Sequence, residues 1–289
     1  MPPVLFLLGL LLGWANGAAA IMAGAHPDSP EARIDSNVTG SPWAGVGSVI
    51  VDGSPYSGVV VGPRHVLTAA HVPGDAERTR FQLNFGGEAT HVIAVARVHR
   101  HPGFKNFDPK RPRDDLAVLV LAEDIPAGVP IYPLHRGDIE SGAVLAFVGY
   151  GASGHGDTGV TVGARASIKR VGRNTADAFG QDAFGIKRVF VFDFDGPGAD
   201  NLMGAEGLGN AAESSFASGD SGGPSFLCEG GAGDRCVGGR WVVTGINTFV
   251  STVAGQSAKI GTFGTLGGGM VVSAYVDWID SVVGARGEE

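Results

Sequence analysis

The chain has 289 residues, 44% of them hydrophobic and 17% charged, so it can bury a sizeable core and is not disordered by composition. Asp plus Glu (29) outnumber Lys plus Arg (21) for a net charge of -8, which excludes the broadly basic footprint of a nucleic-acid-binding protein. The 48 glycines follow no Gly-X-Y period, which excludes collagen, and two cysteines are too few for a disulfide-rich scaffold or a four-cysteine zinc site.

Residues 4–14 form an apolar run, VLFLLGLLLGW, too short for an ordinary membrane span of about 20 residues. Ala18-Ala19-Ala20 behind it supplies an A-x-A cleavage pattern. Together they predict a signal peptide over 1–20 and a mature chain over 21–289, secreted or periplasmic, with no stable membrane association after cleavage. Short Val-rich runs follow at 45–52, 58–61 and 65–69, separated by the turn pairs Asp52-Gly53, Ser57-Gly58 and Gly62-Pro63. Similar runs lie at 91–98, 116–121, 143–148, 166–171, 189–194 and 241–248. Residues 196–218, rich in Gly, Ala and Ser, read as long surface loops around a site. One helix is expected at 273–283, with Ser273 as its cap. Many short strands and one late helix argue for an all-β barrel or sandwich fold, not a doubly wound parallel sheet. No stretch separates independent domains.

The segment Gly219-Asp220-Ser221-Gly222-Gly223-Pro224 places a serine among glycines. A nucleophilic serine needs backbone N–H groups aimed at the forming oxyanion, and glycine permits that tight geometry. The segment also matches the G-x-S-x-G elbow of α/β-hydrolases, in which the histidine follows the serine. The last histidine here is His155, so any base lies upstream of Ser221. Thr68-Ala69-Ala70-His71 ends one Val-rich run, and Asp114-Asp115-Leu116-Ala117-Val118-Leu119 begins another. The chain order is therefore His, Asp, Ser.

On these motifs the sequence resembles the trypsin/chymotrypsin-like serine proteases, as a bacterial-type secreted member. Further matching pieces are Ile21-Met22-Ala23-Gly24, Ser41-Pro42-Trp43 and Val276-Asp277-Trp278-Ile279, so the resemblance runs from residue 21 to about 283. It implies two six-stranded antiparallel β-barrels with a C-terminal α-helix and a catalytic cleft between them. It implies that Ser221 is the nucleophile, His71 the general base and Asp115 the residue that orients His71. The N–H groups of Gly219 and Ser221 would form the oxyanion hole. Asp114 is the adjacent alternative acid, and Thr248 falls where the family keeps a hydroxyl that supports the aspartate. The family's disulfide beside the histidine is missing, with Val72 and Tyr56 at the cysteine positions.

The resemblance also places Ser215 at the base of the primary substrate pocket, Phe216 beside it, and Thr248-Phe249-Val250 and Gly267 along its walls. Without an acid at the base, and with Val250 narrowing the wall, a preference for small aliphatic side chains is expected. Glu213 would restore a basic preference if it reached the pocket. In relatives a new N-terminal Ile ammonium pairs with the aspartate before the nucleophile, here Ile21 with Asp220. Because Ile21 directly follows the A-x-A pattern, signal cleavage alone would create that amine. Cys228 and Cys236 are expected to form a local disulfide in an exported protein. The implied activity is endopeptidase hydrolysis of protein or peptide substrates through an acyl-enzyme, by a monomer without cofactor, metal or nucleic-acid partner. The alternatives are an inactive homologue acting as a binding module and a serine esterase on the same scaffold.

Overall fold

The computed structural model describes residues 21–86, 91–197, 202–204, 207–233, 235–253 and 258–284. The expected signal peptide, 1–20, lies outside them. The first half of the chain gives β1 (Val46–Val51), β2 (Ser54–Gly62), β3 (His65–Thr68), β4 (Thr79–Leu83), β5 (His91–Arg100) and β6 (Ala117–Leu121). They close into an antiparallel barrel in the order β1-β2-β3-β6-β5-β4. Period-2 patterning accounts for the inward faces. Phe81 and Leu83 on β4, and Ile93 and Val95 on β5, are buried, while Arg80, Val92, Ala94 and Ala96 between or beside them are exposed.

The second half gives β7 (Ala143–Gly149), a small hairpin of β8 (Ser153–His155) and β9 (Gly159–Val162), then β10 (Arg170–Ala176), β11 (Ala178–Gln181), β12 (Lys187–Phe194), β13 (Pro224–Glu229), β14 (Arg240–Thr252) and β15 (Thr265–Val271). Seven of these form an antiparallel sheet, β10-β7-β13-β14-β15-β12-β11. The expected second barrel of six strands is thus a curled sheet of seven. Where β10 comes round to β12, side chains help bridge the seam. The Asn174 amide donates to the Asp193 carbonyl at 2.6 Å, and the Asp193 N–H donates to the Asp177 carboxylate at 3.1 Å. A closed six-strand barrel, a curled half-barrel and one short C-terminal helix make up the two-barrel architecture that the resemblance implies.

An aromatic cluster joins the halves. Trp43 packs on Phe226 and Trp241 with ring centroids 5.1 and 4.9 Å apart, and Tyr132 packs on Phe226 at 4.7 Å. The Tyr150 hydroxyl donates across to the Val46 carbonyl at 3.1 Å. Cys228 and Cys236 form the expected disulfide, at the end of β13 and in the connection to β14.

Three local expectations are corrected. The strand foreseen at 166–171 starts later, as Arg170–Ala176, because Arg170 is the first residue in register with β7 (opposite Gly149). The late helix is a 3-10 turn, Val272–Tyr275, leading into α1 (Val276–Val283), so Ser273 sits inside the turn and makes no capping bond. Near its end the supposed surface loop turns interior, since Glu213 to Phe216 are at most 2% exposed.

Candidate active site

The ladder between β3 and β6 ends with Thr68 opposite Ala117. The residues just beyond, His71 and Asp115, therefore leave the barrel side by side. Asp115 Oδ2 lies 2.7 Å from His71 Nδ1, and Oδ1 accepts the His71 backbone N–H at 2.9 Å. Asp115 is 1% exposed and the His71 side chain 16%. A carboxylate on Nδ1 selects the tautomer with the proton there, which leaves Nε2 as the acceptor. Asp114 points elsewhere: its backbone has φ +51°, and its carboxylate lies 3.8 Å from His101 Nδ1. Phe107, on the connection between β5 and β6, packs against the His71 ring at a centroid distance of 4.3 Å. Thr248 does not support Asp115 in this structure. Its hydroxyl donates to the Ile246 carbonyl at 3.1 Å, next to the register shift between Asn247 and Phe249.

Ser221 sits in the turn that leads into β13. The turn closes on itself through Asp220 N–H to Ala217 O, Gly222 N–H to Asn247 O and Gly223 N–H to Asp220 O. The N–H groups of Gly219 and Ser221 are not drawn into these bonds, which leaves them for an oxyanion. Gly219 has φ +94° and Gly222 φ +82°, conformations that side chains resist. A Cβ on Gly222 would also fall 2.0 Å from Thr68 Oγ1 and 3.0 Å from the Ala69 nitrogen. The serine turn is thus pressed directly onto the segment that ends in His71.

Ser57 on β2 straps this turn to the first barrel. Its N–H donates to the Ser221 carbonyl at 3.1 Å, and its hydroxyl donates to the Gly219 carbonyl at 2.9 Å and accepts the Tyr150 N–H at 2.9 Å. In sequence Ser57-Gly58 reads as a turn pair, but in the structure both residues lie inside β2.

Asp220 is fully buried, and its carboxylate accepts the N–H groups of Ala217 (3.0 Å) and Gly151 (3.2 Å). Burial raises its pKa well above the usual carboxylate range, against the pull of those two N–H groups and of the Arg170 charge. Ile21 is buried as well, in a segment already seated. The Ile21 carbonyl accepts the Ser153 hydroxyl at 2.6 Å, and the Met22 N–H donates to the Ser215 carbonyl at 2.9 Å. Ile21 and Asp220 pack on the same strand pair: a Cβ on Gly172 of β10 would meet Ile21 at 2.4 Å, and one on Gly149 of β7 would meet Asp220 at 2.0 Å.

Of the residues foreseen for the pocket, Val250 and Phe216 belong to one apolar cluster. Val250 pairs with Gly267 across β14 and β15, and Ser215 and Phe216 are buried. Two aromatic rings fill the space behind. A Cβ on Gly267 would lie 2.2 Å from the Phe192 ring, and Phe216 packs on Phe192 and Phe147 with centroids 4.9 and 4.5 Å apart. Phe192 was not singled out, although the alternation Phe190, Phe192, Phe194 marks it as inward-facing.

Glu213 does not serve the pocket. Its carboxylate accepts the Asp195 N–H at 2.6 Å and the Leu208 N–H at 2.8 Å, clamping the preceding loop. Burial pushes its pKa up to about 7, opposed by the Asp195 N–H and aided by the Asp195 charge. A carboxyl raised in the fold contributes stability that is fully present below its unfolded pKa of about 4.5 and is lost as pH rises through about 7. The melting temperature is therefore expected to fall across that window, and Glu213→Gln to flatten the slope. An unchanged slope in calorimetry of the variant would refute the assignment.

A family model described as Trypsin matches residues 36–279. Kallikrein-8 of Rattus norvegicus is 26% identical over 236 residues, covering 79% of this chain and 77% of the relative. Among solved structures, neuropsin, a serine protease expressed in the limbic system of mouse brain, aligns with a TM-score of 0.57 and 19% identity over 84% of this chain and 95% of its own. That last likeness is one of fold.

Proposed function

Because the chain belongs to the trypsin family, we propose that it is a secreted serine endopeptidase in which Ser221, His71 and Asp115 carry the reaction. The observation that supports this most directly is the Asp115–His71 pair set against a serine turn whose Gly219 and Ser221 N–H groups are uncommitted. His71 Nε2 takes the Ser221 proton as the hydroxyl oxygen attacks the scissile carbonyl. The two N–H groups hold the developing oxyanion, and His71 returns the proton to the leaving amine. Water then repeats the sequence on the acyl-enzyme. Asp115 steadies the imidazolium that forms in each half.

Peptide rather than ester specificity is supported by β14. Its ladder with β13 stops at Ile246, while its other edge continues with β15 as far as Thr252. Asn247 still pairs with Gly222 and Gly223 of the serine turn, and beyond it this edge has no strand partner among the described residues, a template on which an extended peptide can add. Secretion rests on the apolar run at 4–14 and the A-x-A pattern, and no helix among the described residues is long and apolar enough to cross a membrane. The two named relatives are mammalian, and the reading does not depend on a bacterial character.

Cleavage is expected after Ala, Val or a similar small residue. Val250 and the Phe192–Phe216 pair limit the depth of the pocket, and no acid stands at Ser215 to meet a buried cation. The test is a peptide library digested by wild-type protein with Ser221→Ala as control. Cleavage after Arg or Lys would overturn the specificity. Ester hydrolysis without any peptide cleavage would favour the esterase, and neither activity the binding module.

A further inference from the structure

A cleft of about 890 Å³ is lined by residues of β11, β12 and β14 and of the connection between β5 and β6. Phe179, Val191 and Phe249 supply an apolar lining, and the connection between β5 and β6 forms one rim. Two of its lining segments lead along the chain to the candidate active site. Phe249 immediately precedes the pocket-wall residue Val250, and the rim is the same connection that lays Phe107 on His71.

The charges of the cleft are unbalanced in a specific way. Asp182 is committed to Arg188 (2.9 Å) and to the N–H groups of Phe184 and Ile186. Arg188 spends its remaining reach on the Ala274 carbonyl at 2.8 Å. Asp114 faces His101 and the Tyr275 hydroxyl. Lys110 and Arg113, both exposed on the rim, are left without a polar side-chain partner among the described residues. An apolar trough therefore carries two uncommitted cations, although the whole chain has a net charge of -8.

We propose that this cleft selects substrates with an aspartate or glutamate on the acyl side of the scissile bond, held by Lys110 and Arg113, with neighbouring apolar side chains on Phe179, Val191 and Phe249. The inference rests on the peptidase reading and extends it from the pocket to a second point of recognition. The acyl side is part of the proposal, on the premise that the substrate runs from the pocket at Val250 toward Phe249, which lines the cleft. At about 3.3 Å per extended residue, the acid should stand roughly two to four residues before the bond. Exposed charges steer and discriminate more than they hold, so the effect should be moderate and sensitive to salt.

The experiment uses fluorogenic peptides with Ala at the attacked carbonyl and Asp, Ala or Lys at each of the second to fourth preceding positions. Rates are normalised to sites titrated with a serine-directed label. At one of these positions Asp should exceed Lys by about five- to tenfold in kcat/KM, mostly through KM, with the gap shrinking at about 0.5 M salt. Lys110→Glu/Arg113→Glu should reverse the order. Binding of the same peptides to Ser221→Ala protein should follow the same ranking, a readout that does not need turnover. Equal rates for Asp and Lys peptides in a titratable enzyme, an acid preference only beyond the scissile bond, or an unchanged ranking in the double variant would each overturn the proposal. Failure of the label and of all cleavage would instead count against the peptidase reading, and the binding arm would still decide whether the cleft prefers acids.

Discussion

Ser221→Ala should lower kcat on a good peptide substrate by about 10⁴- to 10⁶-fold, and His71→Ala by a similar amount. The expected size follows from the geometry. His71 has one ring nitrogen fixed by Asp115 at 2.7 Å, which leaves the other as the base, so a serine without its base and a base without its serine are about equally useless. The double variant should accordingly be little worse than either single one, since residues acting as a unit do not add. Asp115→Asn keeps the shape but reverses the hydrogen-bond demand on Nδ1, so a large loss is expected there too. Burst titration measures competent sites, and circular dichroism separates a dead enzyme from an unfolded one. Near-wild-type turnover in folded Ser221→Ala would remove Ser221 as the nucleophile.

A chain that begins at Ile21 should be at least about 100-fold more active than the same chain with one alanine before Ile21. Asp220 has no exposure to water, and burial makes its charged form costly unless a cation reaches it. Its carboxylate already accepts two N–H groups, from Ala217 and Gly151, at the base of the turn that carries Gly219 and Ser221. An ammonium group at Ile21 would complete that site and hold the turn in the form that leaves its N–H groups free. Removing one partner of a buried pair costs ~3–5 kcal/mol, about 10²- to 10³-fold in the competent population. Asp220→Asn should show a comparable loss whatever the first residue is. N-terminal sequencing of the exported protein is expected to read Ile-Met-Ala-Gly. Full activity of the extended chain, or an active enzyme starting elsewhere, would refute this route of activation.

The candidate site was more legible in the sequence than the strands that support it. Histidine, aspartate and serine stand in short motifs whose chemistry is local, so chain order was enough to propose them. The choice of Asp115 over Asp114 followed from a pattern, and the geometry places Asp115, not Asp114, against His71. The second half of the fold was harder to read. β13 starts at a proline, and β15 is Thr-Leu-Gly-Gly-Gly-Met-Val, so neither displays the β-branched alternation by which a strand is recognised. The glycines of β15 are there because neighbours press in: a Cβ on Gly268 would meet the Phe190 carbonyl at 2.3 Å. Ser57 was equally hidden, since a serine beside a glycine reads as turn punctuation until both barrels are present. The same holds for Thr248, whose hydroxyl turns to Ile246 at a register shift that no single-strand pattern reveals.

Both cysteines of the chain lie in one hairpin, eight residues apart, and no covalent bond other than the backbone crosses from one half of the molecule to the other. The proposed acid–base pair stands on one half and the proposed nucleophile on the other. Their alignment is kept by the Ser57 strap, the Tyr150 hydroxyl and the Trp43–Phe226–Trp241 stack. Catalytic competence is therefore a collective property of the docked halves. Loosening their contact separates His71 from Ser221 before either half need unfold, so the chain can fall silent as an enzyme while most of its sheets remain intact.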